Sequence, residues 1–188
     1  MEIGESYRKR CHRYDLAGNA HELTFSCFRN RPFLRSERTC GYLVDAIIAA
    51  KAKLAFDLWA YALMPEHVHI LICPRQETYS IAEILWAIKQ PVSRRALIYL
   101  RKNKPEGLKW LATGQLRSPY HFWQTGGGYD RNMTSVSTIN KAIQYIHENP
   151  VRRGLVAHPS EWLYSSARDW ETGVTGRLPI DFDSFPRA

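Results

Sequence analysis

The sequence predicts an α+β fold: a ferredoxin-like or RRM-like antiparallel sheet carrying helices in the order βαββαβα, followed by a C-terminal tail. Three observations support this. Stretches in which apolar and polar residues alternate are interleaved with stretches in which apolar residues recur every three or four positions. Met64-Pro65-Glu66 joins two of the strand-like stretches by a tight connection. The chain has 188 residues, of which 45% are hydrophobic, enough for a single domain with a real core.

The elements follow in order. In His21 to Phe28, Leu23, Phe25 and Cys27 alternate with polar residues, giving a strand with one buried face. From Arg38 to Leu54, Leu43, Ile47, Ala50 and Leu54 are spaced for a helix. Phe56 to Leu63 is the second strand, and His67 to Cys73, with Val68, Ile70 and Ile72 alternating, is the third. Ser80 to Leu100 is the second helix, interrupted near Pro91, where a backbone hydrogen bond is lost. Arg101 to Ser118 reads as a basic loop, Tyr120 to Gln124 as the fourth strand, and Gly126-Gly127-Gly128 as a flexible break. Thr134 to Asn149 is the third helix, ending at Pro150. The predicted division is a basic arm over residues 1–20, the main domain over 21–156, and a tail packed on it over 157–188.

Charge and composition narrow the function. A net charge of +8 and a pI of about 9.5 point to an anionic partner, nucleic acid before a membrane surface. No apolar run approaches a membrane span, and Met1 to Glu5 lacks the features of a signal peptide, so a cytoplasmic location is expected. Cys11, Cys27, Cys40 and Cys73 show no CxxC spacing, which suggests free thiols rather than a zinc ribbon or disulfide framework. No P-loop pattern is present, and no nucleotide cofactor is expected.

Two clusters carry the chemistry. On a strand, His67 and His69 share one face while Val68, Ile70 and Ile72 take the other. Side by side, the imidazoles are either two surface histidines or a pair suited to a divalent metal. On the third helix, Val136, Ile139, Ile143 and Ile146 form the apolar stripe. At 100° per residue, Tyr145 lies about 140° from its centre, with Asn149 one turn later and Lys141 one turn earlier. Tyr145 is thus either an exposed ring packed on a neighbouring element or a functional hydroxyl. If the helix packs beside the sheet, His67, His69 and Asn149 hold one metal with open positions, and the Tyr145 hydroxyl stands nearby as a nucleophile.

Here the sequence resembles a known family. Met64-Pro65-Glu66-His67-Val68-His69 is similar to the His-hydrophobe-His motif of the HUH single-tyrosine transposases. Tyr145-Ile146-His147-Glu148-Asn149-Pro150-Val151-Arg152-Arg153-Gly154-Leu155-Val156 resembles the nucleophile segment of their REP-associated tyrosine transposase branch. Phe122-Trp123-Gln124 and Glu161 to Ser166 look like that branch too, so the resemblance spans roughly residues 7 to 170. It implies that His67, His69 and Asn149 bind Mg²⁺ or Mn²⁺, two histidines favouring the softer Mn²⁺. It also implies that Tyr145 cuts single-stranded DNA near hairpins, leaving a 5′-phosphotyrosine and a free 3′-OH that can rejoin strands.

The resemblance gives the basic residues a substrate. Arg8, Lys9, Arg10 and Arg13, with Tyr7 and Tyr14, resemble the stretch that contacts bases beside the hairpin. Arg152, Arg153 and Lys141 lie where a strand near Tyr145 would run. Glu66 is either a turn residue or a support for the histidines, and Arg94, Arg95, Arg101, Lys102 and Lys104 form a second basic group. The glycine-rich Gln124 to Arg131 departs from the family pattern, and Tyr129 within it lacks the Asn-Pro context of Tyr145. A monomer associated with the nucleoid is expected. A hairpin-binding relative that does not cut, a replication initiator or relaxase, and a metal-binding regulator are the alternatives.

Overall fold

A computed structural model describes residues 15–186. The candidate DNA contacts Arg8, Lys9, Arg10 and Arg13 lie outside the described residues. A four-stranded antiparallel sheet is built from β1 (Ala20–Ser26), β2 (Phe56–Leu63), β3 (His67–Pro74) and β4 (Tyr129–Met133), in the spatial order β2-β3-β1-β4. The helices are α1 (Glu37–Leu54), α2 (Ile81–Asn103), α3 (Val136–Arg152) and the short α4 (Ala167–Thr172). The predicted fold class and element order are thus observed.

Strand alternation sends two sets of side chains to opposite faces. Leu23, Phe25, Val68, Ile70 and Ile72 enter the larger core with Leu43 and Ile47 of α1 and Ile84 and Ile88 of α2. On the reverse face, Ala60, Ala62, Leu71 and Met133 pack with Ile139, Ala142, Ile143 and Ile146 of α3. The helices therefore occupy both faces of the sheet. A bulge between Leu58 and Ala60 shifts the phase of β2, so Leu58 and Tyr61 share the larger core. This lets Trp59 and Ala62 serve the smaller one.

Three sequence boundaries are corrected. The fourth strand is Tyr129–Met133, not Tyr120 to Gln124. Phe122 and Trp123 are core plugs, 3% and 6% exposed, and Trp123 contributes only an isolated bridge to Cys27. Their aromatic bulk is spent on burial against Phe33 and Phe25, not on a ladder. The true strand is a polar edge, and only Met133 in it is fully buried, so it carries no apolar alternation. Helix α2 passes through Pro91 because Ile88, Val92 and Ala96 anchor both sides of the lost hydrogen bond. Helix α3 runs through Pro150 to Arg152, and Pro150 itself is buried.

The C-terminal segment seals the edge of β2. Leu63 N–H donates to the Tyr164 carbonyl at 2.8 Å, and Ser166 N–H to the Tyr61 carbonyl at 3.0 Å. Further on, Leu58 N–H donates to the Asp181 carboxylate, and Asp181 N–H returns to the Leu58 carbonyl, both at 2.8 Å. All eight residues of β2 are buried as a result. No helix among the described residues is long and apolar enough to cross a membrane.

Candidate active site

The site forms where the α3 face of the sheet turns polar. Thr24 pairs across β1 and β3 with His69, and with Tyr129 of β4 on its other side. Two residues along on the same face, Glu22 pairs with Arg131. Helix α3, started by a Ser135 cap that accepts from the Thr138 amide at 3.2 Å, lays Lys141 and Tyr145 over this row. The result is a cleft of about 430 Å³ lined by Glu22, Thr24, His69, Arg131, Lys141 and Tyr145, among others. A larger hollow of about 790 Å³ under the C-terminal segment holds none of the predicted site residues.

The two histidines meet through their Nε2 atoms, 3.0 Å apart. Each outer nitrogen is held. His67 Nδ1 contacts the Glu66 carboxylate at 3.2 Å, and His69 Nδ1 contacts the Thr24 hydroxyl at 2.9 Å. A carboxylate accepts only, so His67 carries its proton on Nδ1 and turns a lone pair inward. A hydroxyl both donates and accepts, so Thr24 holds the His69 ring in either tautomer. Burial lowers the pKa of His67, with the Glu66 carboxylate opposing it. Burial, with His67 alongside, pushes His69 down to about 3. Both rings are neutral at neutral pH, the form a metal ion requires.

This donor set fits a divalent ion. Two metal–nitrogen bonds of about 2.1 Å at a right angle span about 3 Å, which is the separation of the two Nε2 atoms. Among the described residues no three His, Cys, Asp or Glu side chains gather as ligands, so any third protein donor would come from another residue type. Asn149 is 8% exposed and donates its Nδ2 to the Tyr145 carbonyl at 2.7 Å, which fixes the amide and leaves Oδ1 its lone pairs.

Tyr145 stands over this pair. Its ring meets His69 edge-on at 5.8 Å between centroids, within the same chain. It is 41% exposed and lines the cleft. The Arg152 guanidinium lies over the ring at 5.1 Å. Arg153 takes a different place: it pairs with Glu66, the same carboxylate that holds His67. One acidic side chain thus ties the end of α3 to the histidine pair.

A family model described as "Transposase IS200 like" matches residues 20–149, a span that includes His67, His69, Tyr145 and Asn149. The chain belongs to the IS200-like transposase family. This transposase is also similar to the structure of a REP-associated tyrosine transposase bound to a REP hairpin. That match has 20% identity and a TM-score of 0.68 and covers 96% of this chain and 99% of the other. A crystal structure of a Deinococcus radiodurans protein assigned as a transposase has 22% identity and a TM-score of 0.44, covering 79% of this chain and 97% of that one. A comparison with curated proteins finds no match. The transposase resemblance read from residues 64–69 and 145–156 is borne out.

Sequence reading missed several lining residues of the transposase cleft. Thr24 and Glu22 alternate with Leu23 and Phe25, so the period that placed those two in the core already placed Thr24 and Glu22 on the histidine face. Arg131 and Tyr129 were hidden because the fourth strand was sought too early. Gly128, with φ of +73°, lets this strand close on β1: a Cβ there would lie 2.1 Å from the Thr24 carbonyl oxygen.

Proposed function

We propose that this transposase is a metal-dependent single-stranded DNA endonuclease and strand transferase that works through a 5′-phosphotyrosine intermediate. The observation that carries the proposal is the Nε2 pair of His67 and His69, 3.0 Å apart, with the Tyr145 ring 5.8 Å from His69. His67, His69 and Asn149 would hold Mn²⁺ or Mg²⁺, which when bound polarises a phosphate oxygen and stabilises charge in the displacement. The Tyr145 oxygen attacks phosphorus, the bond from phosphorus to the 3′-oxygen breaks, and that oxygen takes up a proton. The reverse step, with an incoming 3′-OH, regenerates the tyrosine and seals a strand. Phosphodiester bonds are conserved, so no nucleotide cofactor is needed. Arg152 and Lys141 border the tyrosine and suit the phosphates on either side of the cut. Arg153 acts through Glu66, with the strand as its secondary contact.

The substrate proposed is hairpin-bearing, REP-like DNA. The fold shared with a relative bound to a REP hairpin and the chain's positive charge support that reading. Such a substrate places the protein in the cytoplasm with the nucleoid. A monomer is proposed because Tyr145 and His69 meet within one chain and the edge of β2 is sealed. The test is incubation of labelled single-stranded hairpin DNA from the flanks of its own gene with wild type and Tyr145→Phe, in Mn²⁺ or EDTA. A covalent adduct that needs both the metal and the tyrosine hydroxyl is expected. Hairpin binding without an adduct in any metal would leave a DNA-binding protein and remove the catalytic roles.

A further inference from the structure

We infer that a second surface, on the opposite side of the sheet from the catalytic cleft, is a track for the unpaired flank of the DNA substrate. The inference rests on the reading that the substrate is single-stranded DNA, and adds where its flank runs. The track starts at the histidines. The segment after β1 is tied to the residues just before His67, with Cys27 N–H donating to the Glu66 carbonyl at 2.8 Å and Leu34 N–H to the Pro65 carbonyl at 2.9 Å. It therefore leaves the site at the same end of the sheet.

Along this segment, flat rings and cations alternate. Arg29 lies over the Phe28 ring at 5.0 Å, and His121 meets that ring edge-on at 5.5 Å. Arg31 lies over Trp110 at 4.5 Å, with Lys109 on the same indole at 5.1 Å. Arg38 stacks on Tyr99 at 3.8 Å. Trp110 and Tyr99, with Phe33, Arg38, Tyr42 and Lys104, line a mostly apolar hollow of about 250 Å³ between α1 and α2.

Core packing does not explain this surface. Trp110 is 52% exposed, a large apolar ring left in water at some cost. Among the described residues, Arg31, Arg38, Lys104 and Lys109 pair with no carboxylate, and Arg31 Nη1 is buried without a hydrogen-bond partner. Glu37 is taken by Arg177, which leaves Glu106 as the acid beside the hollow. Unpaired cations set beside the exposed Trp110 and the half-buried Phe28 and Tyr99 match a phosphate backbone whose bases stack on accessible ring faces, a chemistry that tolerates any sequence. The hollow has room for one base.

The experiment measures affinity for hairpins with unpaired flanks of increasing length on the 5′ or the 3′ side. It is done in EDTA, with wild type, Trp110→Ala, Trp110→Phe and Arg31→Gln/Arg38→Gln. Wild-type affinity is expected to rise with flank length on one side. Trp110→Ala should remove about tenfold of that gain and Trp110→Phe much less, while both bind the unflanked hairpin as wild type does. One abasic position in the flank should reproduce the Trp110→Ala loss. The double arginine variant should lower the salt slope of the long-flank complex by about 1 to 1.5. Affinity independent of flank length, or equal loss for flanked and unflanked hairpins in Trp110→Ala, overturns the track. In either case the hollow would suit a protein partner better. Flank dependence in a wild type that forms no tyrosine adduct would instead refute the cleavage reading and leave the track standing.

Discussion

The two faces of the sheet are made by the same strands and behave differently. On β3, Ile70 is fully buried against α1 and α2, while its neighbour His69 turns to α3 and meets Thr24, His67 and Tyr145. The first face is apolar except toward β4, where buried His21 bonds Asp130 and Tyr79. The second is apolar only beneath Ile139, Ile143 and Ile146, and polar where Glu22, Thr24, His69 and Arg131 line the cleft. The larger core lies on one face, which leaves the other able to keep neutral imidazoles, a half-exposed tyrosine and an open cleft.

This division can be broken one residue at a time. The largest effect is expected at Tyr145: replacement by Phe should cut DNA cleavage by at least about 10⁴-fold. Its melting temperature should stay within about two degrees, because the ring is 41% exposed. A denaturation and adduct assay on one preparation checks both. Next comes Ile70→Ala on the opposite face, which should cost about 2–5 kcal/mol of stability in a urea titration. If cleavage fell further than folding explains, the faces would not be separable.

Smaller effects sharpen the comparison within the polar half. Thr24→Val keeps the shape and removes the hydroxyl on His69 Nδ1, and should weaken Mn²⁺ binding roughly 10–100-fold by calorimetry while folding holds. Glu66→Ala should weaken it to a similar degree, and the loss should not add to that of Arg153→Ala, since both variants break one ion pair. Strict additivity would separate Arg153 from the histidine pair. The smallest change is Trp162→Phe, which removes a 3.0 Å hydrogen bond to the Leu63 carbonyl at the sealed edge. It should cost about 1 kcal/mol and leave cleavage unchanged.

The same contrast decides how much was legible in the sequence. Val68, Ile70 and Ile72 announce their face by alternation, and His67 and His69 follow on the other. The stripe of Ile139, Ile143 and Ile146 sets the rotation of α3 and so puts Tyr145 outward. Helical continuity through Pro91 and Pro150 was not legible, because packing on either side of a proline decides it. Nor was β4, whose residues are chosen for an edge and a cleft wall and carry no apolar period. The dual use of Glu66 joins residues far apart in the chain, and no local pattern encodes it.

The seal on β2 has a consequence for synthesis. Leu58 donates its N–H to the Asp181 carboxylate and accepts the Asp181 N–H on its carbonyl, and Leu63 and Tyr61 bond to residues 164 and 166. A ribosome delivers β2 more than a hundred residues before its cover. Throughout that interval the nascent sheet shows a bare, eight-residue, hydrophobic rim, open to pairing with any extended chain nearby. Full closure of this domain waits for residues 164 to 181, so a chain cut short before them would be a sticky fragment rather than a smaller folded domain.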